Sequence, residues 1–173
     1  MLDDLQIEKQ FTIIYEAYYR DVYHFFYCFT GNQNDAEDLT QEAFLQVISS
    51  LPRFEGRSHI KTWLFAISKN IARSWYRKRK FFQVFLDPFL SGLEGVDGRP
   101  ESELMAKENS NEVLNALRKL KATHRMVFIL RCVKDCSVRE TAEILKCSEA
   151  KVKVDYHRAC KMLAKALYPK MKG

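Results

Sequence analysis

The sequence predicts an all-α protein built as two small helical domains joined by a flexible linker. Three observations predict it. Apolar residues recur at three- and four-residue steps along most of the chain, and no alternating strand pattern interrupts them. Helix start signals, Ser or Asn followed three residues later by Glu, precede two of these stretches. Between residues 81 and 108 the periodicity gives way to Asp87-Pro88, Gly92, Gly95, Gly98 and Pro100, the punctuation of an interdomain segment.

In order along the chain, Phe11, Ile14, Tyr15, Tyr18, Val22, Phe25, Phe26 and Phe29 share one face of a first helix that ends at Gly31-Asn32. Asn34 is expected to cap a second helix, with Glu37 completing a capping box. Its apolar stripe is Leu39, Ala43, Phe44, Val47, Ile48 and Leu51, and Pro52 stops it. Ser58 is placed to cap a third helix, with Ile60, Trp63, Leu64, Ile67, Ile71 and Trp75 inward, running to Lys80. The aromatic start of the linker, from Phe81, is expected to pack on this first domain.

Four short helices follow. Val113, Leu114, Leu117 and Leu120 mark the first, and Met126 to Val133 the second. Ser137 and Glu140 form a capping box for the third, which carries Thr141, Ala142, Ile144 and Leu145. After a break at Lys146-Cys147, Ser148 caps a last helix reaching about Leu167. Two helices across a tight turn, the second rich in Lys and Arg, make a helix-turn-helix pattern. The domains are thus read as 8–80 and 109–170, with the linker at 81–108.

Composition narrows the function. Hydrophobic residues at 47% and charged residues at 29% describe a folded globular chain. No basic segment leads into an apolar run at the start, and no stretch reaches the roughly 18 apolar residues of a membrane span. A cytoplasmic protein without stable membrane insertion is expected. Its five cysteines are read as free thiols. The Cys132–Cys136 gap, with no His beside it, does not suit zinc, and no metal or other cofactor is expected. With no Gly-rich phosphate loop and no nucleophile–base pair, no catalytic residue is expected either.

Charge is strongly sorted. Residues 1–56 carry a balance of −7, residues 57–80 one of +8 without a single acid, residues 81–110 one of −4, and residues 111–173 one of +9. Two basic blocks point to two contacts with a polyanion. The acidic first third needs another partner. On the third helix Lys69, Arg73, Tyr76, Arg77 and Lys80 lie opposite the apolar face, with Asn70 at its flank, a set suited to phosphates and exposed bases. A solvated basic face would explain such a pattern less well, given eight cations and no acid.

Residues 35–47 (DAEDLTQEAFLQV), 54–79 (FEGRSHIKTWLFAISKNIARSWYRKR) and 130–163 (LRCVKDCSVRETAEILKCSEAKVKVDYHRACKML) resemble the sigma-2 and sigma-4 domains of the sigma-70 superfamily, in its extracytoplasmic-function branch. The likeness covers most of the chain, and the order of the runs is more specific than either alone. It implies a sigma-2 bundle and a sigma-4 helix-turn-helix that bind core RNA polymerase and promoter DNA and take part in promoter melting and transcription initiation.

The resemblance also implies roles for particular residues. Asp35, Asp38, Gln41 and Glu42 would grip core polymerase, although Asp35 and Glu37 also complement the helix dipole. Phe54, Arg57, Ser58, Lys69, Asn70, Arg73 and Arg77 would hold the single-stranded −10 element, the loop from Phe54 to Ile60 forming a pocket for a flipped base. Unstacking costs about 1.4 kcal/mol per step, and each base captured on a protein surface returns about 1–3 kcal/mol. Trp63 and Trp75 lie on the inner face, where core packing suits them better than base stacking.

Ser148, Lys151, Lys153, Val154, His157, Arg158 and Lys161 would meet the double-stranded −35 element, Arg158 reading guanine, with Val152, Tyr156 and Leu163 inward. Lys146 departs from the Gly common in the turn, and Val154-Asp155 from a polar-basic pair. An anti-sigma factor, served by the aromatic first helix, and a stress or envelope-response regulon are further expectations of this branch. A stand-alone helix-turn-helix regulator would account for residues 111–173 but leaves 8–80 without a purpose. An enzyme and an RNA-binding structural protein fit less well.

Overall fold

A computed structural model describes residues 4–90 and 107–168. The elements are α1 (Asp4–Thr30), α2 (Gln33–Ser50), a 3-10 turn (Leu51–Arg53), α3 (Ile60–Leu90), α4 (Lys107–Lys119), α5 (Ala122–Phe128), a π-helical turn (Ile129–Val133), α6 (Val138–Leu145) and α7 (Glu149–Leu167). The described residues contain no strand. The all-α expectation with a C-terminal helix-turn-helix holds.

Three boundaries differ from expectation. The N-cap of α2 is Asn32, whose side-chain oxygen accepts the Asp35 N–H at 2.9 Å, so the helix starts at Gln33 and not beyond Asn34. Among the described residues Ser58 caps nothing; α3 opens with the Trp63 N–H donating to the His59 carbonyl at 3.0 Å. And α3 does not stop near Lys80 but continues to Leu90. Proline so close to a helix end forfeits one hydrogen bond, which did not suffice to break the apolar stretch before it. Phe81, Phe82 and Phe85 stand 56–58% exposed on this extension and pack against one another, not on the first domain. Linker residues 91–106 lie outside the described residues.

Helices α1, α2 and α3 enclose a core of aromatic rings. Phe25, Phe26, Phe29 and Phe65 are fully buried and stack or meet edge to face. Each such side chain contributes about 1.5–3 kcal/mol by leaving water. Ile48, expected inside, is 43% exposed. The core does not end with this module. Met126, Ile129, Leu130, Cys136 and Ile144 of the C-terminal half join the same cluster, and among the described residues that half keeps two small clusters of its own, around Leu117 and around Val152.

Polar clamps reinforce this apolar junction at the end of α1. The last carbonyls of a helix lack partners, and two arginines from the other module supply them. Buried Arg125 donates to the Phe29 carbonyl at 2.6 Å, with its guanidinium 5.1 Å from the Phe29 ring. Arg118 donates to the Gly31 carbonyl at 2.9 Å. Gly31 is required there: its φ is +67°, and a Cβ would lie 2.3 Å from Arg118 Nε. Lys134, buried, places Nζ 2.8 Å from Asp21 Oδ1, while Lys61 Nζ donates to the Lys134 carbonyl at 2.7 Å.

Candidate nucleic-acid interface

On α2 the residues Asp38, Gln41 and Glu42 are all exposed, one helical turn apart on the outer face. Leu45, 69% exposed, continues the stripe toward the exposed Ile48. This apolar continuation was not singled out from the sequence, where Ile48 reads as core. Asp35 is engaged within the chain: its Oδ2 lies 3.2 Å from Arg79 Nη1 of α3, a partly exposed pair.

The loop after α2 turns at Gly56, with φ +68°. Phe54 is half-buried, its ring 4.6 Å from that of Trp63 and inclined by 38°. Trp75 meets Phe29 edge to face, with Arg79 5.2 Å from its ring. Both tryptophans pack against the core, as their helical position indicates. Arg57 pairs with Glu55 at 2.6 Å, but both side chains are largely exposed, so the pair holds the loop only weakly. A hollow of about 450 Å³ lies between Arg57, Ser58 and His59 and residues Arg139, Glu140 and Glu143 of α6.

The basic face of α3 behaves differently from an open surface. Asn70, Arg73 and Arg77 are exposed, but Lys69 is only 3% exposed, because the face turns toward the helix-turn-helix. Lys69, Arg73, Tyr76 and Arg77 line one wall of a cleft of about 540 Å³ whose other wall includes Lys146 and Lys151. Burial, with the Arg73 and Lys146 cations nearby, pulls the Lys69 ammonium below the ordinary lysine range.

The helix-turn-helix is built by local signals. Ser137 and Glu140 bond each other's backbone N–H at 3.0 and 2.6 Å, opening α6 with the capping box that their spacing indicates. The Ser137 N–H holds the Glu140 carboxyl below its usual range. Lys146 ends α6 in the left-handed region at φ +53°, doing the turn's work without glycine. The Ser148 hydroxyl accepts the Lys151 N–H at 3.2 Å to cap α7. Helix α7 buries Val152, Asp155, Ala159 and Leu163, and rests Tyr156 against Phe128. Lys153, Val154, His157, Arg158 and Lys161 are left together on the outer face, and Ser148 is exposed at its start.

Asp155 explains its own departure from the expected pattern. It is only 4% exposed, three residues from buried Val152 and four from buried Ala159, so it belongs to the inner stripe. There its carboxylate lies 2.6 Å from Lys151 Nζ and 3.6 Å from His124 Nε2. The Lys151 ammonium is thereby drawn toward its own helix. Only the inward register of α7 discloses this role. Among the described residues no three His, Cys, Asp or Glu side chains gather as a metal site, and no helix is long and apolar enough to cross a membrane.

Comparison with known proteins accounts for both halves. Sigma-70 region 2 matches residues 14–82, and Sigma-70 region 4 matches residues 110–163. The chain is 36% identical over 163 residues to the ECF RNA polymerase sigma factor SigX of Bacillus subtilis, spanning 92% of this chain and 84% of that protein. It is 31% identical over 169 residues to the SigW factor of the same organism, spanning 92% and 90%. In fold it is similar to the sigma factor RpoE of Bartonella quintana, solved with the anti-sigma factor NepR, at a TM-score of 0.72 and 23% identity over 94% of this chain and 99% of that one. With both regions present in order and relatives matched over most of their length, this chain belongs to the extracytoplasmic-function branch of the sigma-70 RNA polymerase sigma factors and acts in transcription initiation.

Proposed function

We propose a division of labour among the surfaces of this sigma factor. Residues 8–80 bind core polymerase and the melted −10 element, residues 109–170 bind the −35 duplex, and the segment between spans the two. The outer face of α2, with Asp38, Gln41, Glu42 and the exposed Leu45, meets core polymerase. Asp35 has a secondary part there, since Arg79 already neutralises it. Phe54, Arg57, Ser58, Lys69, Asn70, Arg73 and Arg77 hold the −10 strand, and Ser148, Lys151, Lys153, Val154, His157, Arg158 and Lys161 the −35 duplex. The chain supplies no catalytic group, works in the cytoplasm, and is held in check by an anti-sigma factor. Lys69 is buried against the second module, so the −10 strand reaches it only after the modules part.

This reading rests on the sorting of exposed charge: an acidic outer face on α2, where DNA would be repelled, and a basic one on α7 with no acid among its outward residues from Lys153 to Lys161. Run-off transcription with purified core polymerase tests it. Specific transcripts should require this protein and disappear in Asp38→Lys and in Arg158→Ala. If duplex DNA were bound without any core binding or transcript, the stand-alone regulator would take its place.

A further inference from the structure

The cleft between the modules gathers cations of one sign. Lys69, Arg73 and Arg77 come from α3, and Lys146 and Lys151 from the helix-turn-helix. Among the described residues Asp155 is the one acid lining it, and Lys151 already neutralises that carboxylate at 2.6 Å. Among the described residues, no carboxylate lies in ion-pair range of Lys69, Arg73, Arg77 or Lys146. Lys69 is the telling member: 3% exposed, lining the cleft, its ammonium given no hydrogen-bond partner by any described residue. A cation that has lost part of its water and has no counter-charge is costly. Lys69 is buried while Arg73, Arg77 and Lys146 line the same cleft from exposed positions, and four cations gathered in this way leave a place for an anion.

We infer that the closed arrangement of this sigma factor holds a binding site for a small polyphosphate anion, of the size and charge of a nucleoside triphosphate, between α3 and the helix-turn-helix. A volume of about 540 Å³ suits a small molecule and excludes duplex DNA. Four uncompensated cations match the charge of a triphosphate, and two of them are arginines, which grip phosphate through two parallel bonds. Tyr76, Met126, Val127 and Leu145 supply an apolar wall on which a base can rest. Cations of both modules are needed, so the anion binds the closed form and holds it closed. It thereby competes with the promoter strand for Lys69, Arg73 and Arg77. That competition rests on the −10 assignment above; the anion site does not.

Calorimetric titration of the full chain at physiological ionic strength is the test, with ATP and inorganic triphosphate, both free of magnesium, as probes. Saturable one-to-one binding of at least one probe is expected, and the tighter of the two tells whether the base takes part. Lys69→Met, which keeps the length and apolar stem, and Lys146→Asn, which tolerates the left-handed backbone, should each weaken binding at least tenfold. Unsaturable binding of both probes, or binding unchanged in both variants, would overturn the inference. Promoter-fragment retention by the core complex, without nucleotides, separates the two assignments. Lys146→Asn should retain the fragment as the parent does, while Lys69→Met should lose both activities. If Lys69→Met lost the anion and kept the fragment, the −10 role of Lys69 would fall and the anion site would stand.

Discussion

Lys134 Nζ sits 2.8 Å from Asp21 Oδ1, so a buried ammonium of the C-terminal module is neutralised by a carboxylate of the first helix. The side chains differ in burial, 4% exposed for the lysine and 46% for the aspartate. Removing the aspartate strands the buried charge, whereas removing the lysine leaves a carboxylate water can solvate. Asp21→Asn should therefore loosen the junction more than Lys134→Met. With one partner half in water, the loss should be about 1–3 kcal/mol, below that for a fully buried pair. Small-angle scattering reads it as a larger radius of gyration for Asp21→Asn, and equal radii for the two variants would count against the clamp.

Arg125 carries more than charge. It donates to the carbonyls of Phe29, Arg118 and Leu120 at 2.6, 2.7 and 3.2 Å, tying the end of α1 to the start of the C-terminal module. Arg125→Met fills similar space but leaves these carbonyls unpaired, at about 1–3 kcal/mol for each that water cannot reach. Urea denaturation should show a loss of at least 3 kcal/mol, with both modules losing stability together because they share one core. A loss confined to the C-terminal half would refute the shared core.

Arg158 and Asp38 serve different partners and should fail differently. Arg158→Ala should weaken retention of −35 duplex by about 1–3 kcal/mol while leaving binding to core polymerase intact. Asp38→Lys should lose core polymerase with circular dichroism unchanged, because its side chain is exposed and supports no packing. A variant that lost both partners at once would show misfolding, not a surface role.

Cys136 and Cys132 should separate in alkylation kinetics. Burial pushes the Cys136 thiol up to about 11, so it stays protonated through pH 9 in the folded chain. Cys132 is exposed, its sulfur 3.0 Å from the Tyr156 hydroxyl. Iodoacetamide at pH 8 should label Cys132 at least tenfold faster, as read by mass spectrometry of the peptides. The unfolded thiol ionises near 9 and the folded one near 11. The stability that Cys136 contributes is therefore complete below pH 9 and declines as pH rises toward 11. Cys136→Ser should flatten that part of the profile.

Much of the fold is legible in local sequence because its causes are local. The step pattern from Phe11 to Phe29, the Ser137–Glu140 box and the Ser148 cap act within a few residues, and each forms as its spacing indicates. The outward set from Lys153 to Lys161 follows from the helical period as well. The family, too, was already written in runs 35–47, 54–79 and 130–163. What the sequence by itself could not decide depends on contacts between residues far apart in the chain. Lys69 reads as one more cation on a basic face until α6 and α7 close over it. Asp155 reads as a departure from the usual pair until α7 turns it toward His124. The arginines that finish α1 lie about ninety residues beyond it. Such pairings carry no periodicity, since burial and charge compensation are properties of the assembled surface, and only the tertiary structure decided them.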